Sequence, residues 1–232
     1  MKFRLFAAAL TAVCLVASAA GAAPEAMPAL HYLSEAEANP DRLAAPRPPK
    51  DSPELAREMA NLRAIIAAAS PERLAQADAD GNNETPSVFD AATGKTVAKL
   101  PATSKLLNAI IEETEAVVER GKRHFAMPRP YQIDPALPHC GKGKNVLKSY
   151  PSGHAGFGYS TGWALAQLMP ARAPQILARA QEYAFSREVC GVHFHSDTEA
   201  SHVIGTVVAE RMLADPRLAK TVREARRELA AK

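Results

Sequence analysis

The stretch ATSKLLNAIIEETEAVVERGK, residues 102–122, decides the fold class. Leu106, Leu107, Ile110, Ile111, Ala116 and Val117 recur at the three- and four-residue spacing that places side chains on one face of an α-helix. The same period returns from Ser196, where Ala200, Val203, Ile204, Val207, Val208 and Met212 follow one another until Asp215-Pro216 breaks the pattern. Helices are also expected over 154–169 and 171–185, and the tail from Arg217 to Lys232 reads as a charged amphipathic helix. Upstream, Ser52 is a plausible N-cap and Pro53 suits a first turn, with Leu55, Met59, Leu62, Ile65 and Ile66 continuing the apolar face. A short helix over Pro71 to Asp80 runs into a Gly81-Asn82-Asn83 turn, and residues 123–151, rich in Pro, Gly and Lys, read as loop. No segment alternates as a strand would, and no repeat is visible. The expectation is an all-α fold, a single compact multi-helix domain over 51–232. It is preceded by a Pro-rich N-terminal arm over 23–50 lying on the surface.

Residues 1–22 read as a signal peptide. Lys2 and Arg4 precede an apolar run from Leu5 to Ala20 that ends in the small residues Ala20-Gly21-Ala22. That run is shorter than a membrane span, and no later stretch is long and apolar enough to make one. A periplasmic or secreted protein is therefore expected. The chain carries 28 basic and 25 acidic side chains for a formal charge of +3. That balance gives no support for a nucleic acid as partner. With 47% hydrophobic residues, general disorder is excluded. Cleavage would remove Cys14 and leave Cys140 and Cys190, which in an oxidising compartment are candidates for one disulfide.

Three segments concentrate phosphate chemistry: Lys122 to Pro130, Ser149 to His154, and Ser186 to Asp197. Phosphoryl transfer spreads charge over three equatorial oxygens, which donors must surround. Arg129 and Arg187 offer planar forks and Lys122 a point charge. Ser152 adds a hydroxyl, and Gly153 lets a backbone N–H approach an anion. His193 and Asp197 lie four apart, so in a helix they share a face. The carboxylate can then accept from imidazole Nδ1 and leave Nε2 to attack phosphorus. His154 can protonate the leaving alkoxide and then act as base on water, which favours hydrolysis on the acidic side.

Together these residues fill a tripartite pattern, K-x6-R-P, then P-S-G-H, then S-R-x5-H-x3-D, at Lys122, Arg129, Pro130, Pro151 to His154, Ser186, Arg187, His193 and Asp197. On that pattern the chain resembles the phosphatidic acid phosphatase type 2 / vanadium haloperoxidase superfamily. Within it, the sequence around SYPSGH and SREVCGVHFHSD is similar to the bacterial class A non-specific acid phosphatases. Lys148 before Ser149, Ala155 after His154, and His195 depart from the usual class A pattern at flanking positions. The resemblance implies a helical bundle and a broad-specificity acid phosphatase acting on small-molecule phosphate monoesters. It implies His193 as nucleophile forming a phosphohistidine, Asp197 as its orienter and His154 as general acid and base. Lys122, Arg129, Ser152, Gly153 and Arg187 would bind the phosphoryl oxygens, with no metal or other cofactor. A homo-oligomer is a further implication.

Two alternatives share these residues. A vanadate-dependent haloperoxidase would use the same constellation, and His193, His195 and Asp197 also spell the H-x-H-x-D start of a zinc hydrolase site. Asp78 to Asn82 loosely resembles a calcium loop but lacks its terminal glutamate. Arg123 and His124 read as an exposed helix end, and Glu188 as a cap or an arginine's partner. Specificity is expected in the loops 78–101 and 131–148.

Overall fold

The computed structural model describes residues 26–141 and 147–231, and the signal peptide expected over 1–22 lies outside them. In chain order the helices are α1 (Pro40–Leu43), α2 (Pro53–Ala68), α3 (Pro71–Gly81), α4 (Asp90–Thr93), α5 (Pro101–Phe125), α6 (Pro130–Ile133), α7 (Gly153–Leu168), α8 (Ala173–Val189), α9 (His195–Leu213) and α10 (Ala219–Ala230). No strand occurs among the described residues, and the fold is all-α. Starts follow local chemistry. Ser52 and Ser70 cap α2 and α3 by accepting from Leu55 N–H and Arg73 N–H, each ahead of a proline in the first turn.

Helix α7 is the axis of the molecule. Its residues are buried on every side, from Ala155 and Phe157 to Leu165 and Leu168, which marks a central helix rather than an amphipathic one. It packs against α5, α8 and α9, and α10 closes over α5. Two glycines permit this closeness. A Cβ on Gly205 of α9 would stand 2.8 Å from Ser160 N of α7, and one on Gly162 would stand 2.7 Å from Ala180 Cβ of α8. Helix α5 contributes Leu106, Leu107, Ile110, Ala116 and Val117 to the core, all essentially inaccessible.

The N-terminal arm does more than lie on the surface. The backbone N–H groups of His31, Tyr32 and Leu33 donate to the buried carboxylate of Glu113 at 2.7–3.0 Å. Leu33, Ala38, Ala44 and Arg47 are buried against the bundle. The prolines keep the segment out of long helices, while Glu113 supplies the acceptor that draws it inward.

Candidate active site

The site forms at one end of the bundle, where α5 and α8 finish and α7 and α9 begin. Lys122 sits in the last turn of α5. The chain then turns through Ala126, whose φ of 47° ends the helix, and delivers Arg129 as the N-cap of α6. Ser152 caps α7, accepting from Ala155 N–H at 3.4 Å, so its own hydroxyl hydrogen is free to donate. Gly153 and His154 open that helix, where the first N–H groups have no partner within the helix. Arg187 stands near the end of α8.

His193 is not helical, which corrects the shared-helix reading of the pair. It lies in the turn between α8 and α9, and Asp197 occupies the first turn of α9. The carboxylate reaches back over the helix start. Asp197 Oδ2 accepts from Phe194 N–H at 3.1 Å and lies 3.1 Å from His193 Nδ1. On the far side of the ring, Arg129 Nη1 is 3.0 Å from His193 Nε2. A guanidinium only donates, so Nε2 must accept and the ring proton resides on Nδ1, facing Asp197. Burial, then the cations Arg129, Arg187 and Lys122, hold His193 well below the usual histidine range. The imidazole is therefore neutral, with its Nε2 lone pair turned to the cavity.

Asp197 is fully buried. Burial pushes its carboxyl up, while Arg47, the Ser149 hydroxyl and Phe194 N–H pull it down. Ser149 Oγ donates to Oδ2 at 2.5 Å, and Arg47 Nη1 lies 3.4 Å from Oδ1. The second and third segments are also tied through backbone. Ser152 N–H donates to Asp197 O at 3.1 Å, and Ser201 Oγ donates to Ser152 O at 2.7 Å.

His154 faces His193 across a cavity of about 360 Å³ that Lys122, Arg129, Gly153 and Glu84 also line. Its Nε2 lies 3.1 Å from Gly81 O. A carbonyl only accepts, so Nε2 carries a hydrogen and Nδ1 is the atom that gains or loses a proton. Nδ1 lies 3.6 Å from Glu84 Oε1. Burial, with Arg187, Lys122 and Arg129, brings His154 down to about 4. Arg187 is itself buried, and its Nε and Nη1 have no hydrogen-bond partner among the described residues. Buried guanidinium nitrogens without acceptors are costly unless an anion fills the gap.

Every residue expected in the site from the sequence converges here except Cys140 and Cys190, which are joined by a disulfide with Cα atoms 4.9 Å apart. That bond anchors the end of α8, just ahead of His193. His195 diverges. Its ring is mostly exposed, lies 3.1 Å from Glu188, and lines a separate surface cavity of about 950 Å³ with Glu58 and Phe185. Glu188 thus pairs with His195 and Thr198, not with an arginine. Among the described residues no cluster of three His, Cys, Asp or Glu side chains is placed to hold a metal ion.

Sequence reasoning gave no role to Arg47, Ser149, Gly81 or Glu84. Ser149 stood inside a quoted segment and Gly81 at a turn, but neither signal pointed to the site, and no local signal marks Arg47 or Glu84. The Asp78 to Asn82 stretch is no cation loop. Asp80 accepts from Arg179 at 2.5 and 3.2 Å and from Ser186 at 2.6 Å, fastening the end of α3 to α8. That bond holds Gly81 against Arg187, leaving no space for a Cβ.

The sequence pattern of the PAP2 superfamily matches residues 102–217, which include the whole constellation from Lys122 to Asp197. The chain belongs to the PAP2 superfamily. Arg47, Gly81 and Glu84 lie outside the part that matches the PAP2 pattern. The chain is similar to an acid phosphatase of Zymomonas mobilis, with 31% identity over 137 residues, 57% of this chain and 52% of that protein. A non-specific acid phosphatase of Providencia stuartii is 28% identical over 134 residues, 56% of this chain and 54% of that one. One of Salmonella typhimurium is 31% identical over 111 residues, 47% and 44% of the two chains. The chain thus spans about half the length of the curated relatives it matches. Its fold is like that of a transmembrane PAP2 type phosphatidylglycerolphosphate phosphatase from Bacillus subtilis. The TM-score is 0.53 at 14% identity, over 70% of this chain and 86% of that one. Among the described residues of this PAP2 protein, no helix is long and apolar enough to cross a membrane.

Proposed function

We propose that the protein is a secreted or periplasmic acid phosphatase that hydrolyses phosphate monoesters of broad structure through a phosphohistidine on His193, without a metal. One observation carries the reading. The neutral Nε2 of His193, oriented by Asp197 on Nδ1, opens onto a cavity whose floor is cationic and whose far wall is His154.

The phosphoryl oxygens of a bound monoester lie among Lys122, Arg129, Arg187, the Ser152 hydroxyl and the Gly153 N–H. Arg129 exchanges its bond to Nε2 for one to the phosphate, releasing the lone pair. Nε2 attacks phosphorus as the ester P–O bond breaks, and the electron pair leaves on the alcohol oxygen, which takes the proton from His154 Nδ1. Positive charge on the His193 ring is stabilised by Asp197. Water then gives a proton to His154 Nδ1 and attacks phosphorus. The N–P bond breaks, its electron pair returns to Nε2, and inorganic phosphate leaves. Cationic side chains supply the charge stabilisation that a metal supplies elsewhere.

The test is hydrolysis of p-nitrophenyl phosphate by purified protein over an acidic to alkaline range, with EDTA and orthovanadate added separately. Acidic activity that survives EDTA and falls with vanadate is the expected result. Loss of activity in EDTA, or no hydrolysis at any pH, overturns the proposal.

A further inference from the structure

The cavity is divided by charge. Its floor carries Lys122 and Arg129, with the buried Arg187 close enough to act on His154, while its outer wall carries the carboxylates of Glu84 and Glu115 alongside apolar Ile111, Val118 and Phe157. Glu115 precedes Lys122 by seven residues on α5, two turns along one face, which is about 10 Å. Glu84 stands just beyond the end of α3, half-exposed at the rim. Neither carboxylate is in a salt bridge with a lysine or arginine among the described residues. Glu84 has the His154 ring at 3.6 Å and feels Lys122 and Arg187 only at longer range, and no cation is paired with Glu115 among those residues. By contrast Glu119, one turn nearer the floor, is bonded to Lys148 at 2.7 Å and Arg123 at 3.2 Å. The two carboxylates also feel each other: burial raises Glu84 most, Glu115 pushes it further up, and Lys122 and Arg187 pull it down.

The floor accounts for the phosphate, and the unpartnered nitrogens of the buried Arg187 mark where it binds. The outer wall therefore meets the alcohol part of the ester. Two carboxylates there, neither in a salt bridge with a lysine or arginine among the described residues, attract a cation and repel an anion. We infer that this site selects phosphate monoesters of short amino alcohols, whose ammonium group lies between Glu84 and Glu115, over monoesters whose alcohol carries a carboxylate or further phosphate. This rests on the phosphatase reading above and specifies its substrate class.

The experiment compares kcat/KM for O-phosphoethanolamine and phosphoglycolate, esters of similar size and opposite terminal charge at about pH 6, with p-nitrophenyl phosphate alongside. The expected preference for phosphoethanolamine is about tenfold, falling with added salt. In the doubly substituted Glu84→Gln, Glu115→Gln protein it should collapse to within about twofold. Equal or better use of phosphoglycolate, or a preference unchanged in the double variant, overturns the inference while leaving the phosphatase reading intact. Failure to hydrolyse any of the three esters at all overturns both. Both side chains are exposed and outside the core, so the variants are expected to fold. Circular dichroism and inhibition by inorganic phosphate confirm that they have.

Discussion

Arg47 Nη1 lies 3.4 Å from Asp197 Oδ1, joining two buried side chains 150 residues apart directly behind His193. The same guanidinium donates to Pro128 O at 3.0 Å and sits 4.8 Å over the Phe194 ring. The arm thus delivers the counter-charge for the carboxylate that orients His193. Removing one partner of a buried pair leaves the other charge uncompensated. Arg47→Met is expected to cost about 3 kcal/mol of stability, read from the urea midpoint. A loss under about 0.5 kcal/mol, the range of ordinary surface changes, would show that the pair carries no stability.

His193→Ala removes the attacking nitrogen and should lower kcat at least about a thousandfold. Asp197→Asn keeps the shape but upsets the proton on Nδ1, and a loss of about ten-thousandfold is expected. Brief reaction with labelled substrate should trap acid-labile phosphate on the unaltered protein and none on His193→Ala. Equal labelling of both would place the covalent step elsewhere.

The His154 proton sets a pH signature. In the empty site burial and three cations hold this ring down to about 4. A bound phosphate dianion offsets those cations and raises it. The acid form is needed for leaving-group departure, so rate falls as pH rises through the relevant value. The alkaline limb of kcat, which reports the complex, should therefore lie at higher pH than that of kcat/KM, which reports the free enzyme. Coincident limbs, or the reverse order, would contradict this role for His154.

Gly81→Ala tests the packing of α3 against the phosphate site. The added Cβ would collide with Arg187 Nη1 and displace the guanidinium. A fall of about tenfold in kcat/KM and weaker inhibition by inorganic phosphate are expected, the size of one lost charge-assisted hydrogen bond. Global stability should stay within about 1 kcal/mol, because alanine favours helix over glycine. Unchanged phosphate inhibition would mean that Arg187 does not bind the anion.

The Cys140–Cys190 bond closes a loop spanning 50 positions. The chain-entropy account gives such a loop about 4 kcal/mol. Replacing both cysteines by serine should lower the melting temperature and loosen the turn that carries His193, costing activity as well. A variant with undiminished stability would show that packing alone holds the end of α8.

The sequence alone determined the long helices and which phosphate-binding residue types the chain carries, but not the short helices α1, α4 and α6. Apolar spacing at Leu106 to Val117 and Ala200 to Met212 is a local property of the chain. So are the Ser52 and Ser70 caps, and each motif segment carries its own phosphate chemistry in order. Tertiary structure decided what those groups mean to one another. It placed His193 in a turn rather than a helix, set its tautomer by putting Arg129 and Asp197 on opposite nitrogens, and turned His195 away from it. It also drew in Arg47 from the arm, and Gly81 and Glu84 from the end of α3. None of these three has a periodic or motif signature. Their roles arise from long-range packing, where burial turns an ordinary side chain into a counter-ion, a carbonyl into a proton director, and a glycine into space for an arginine.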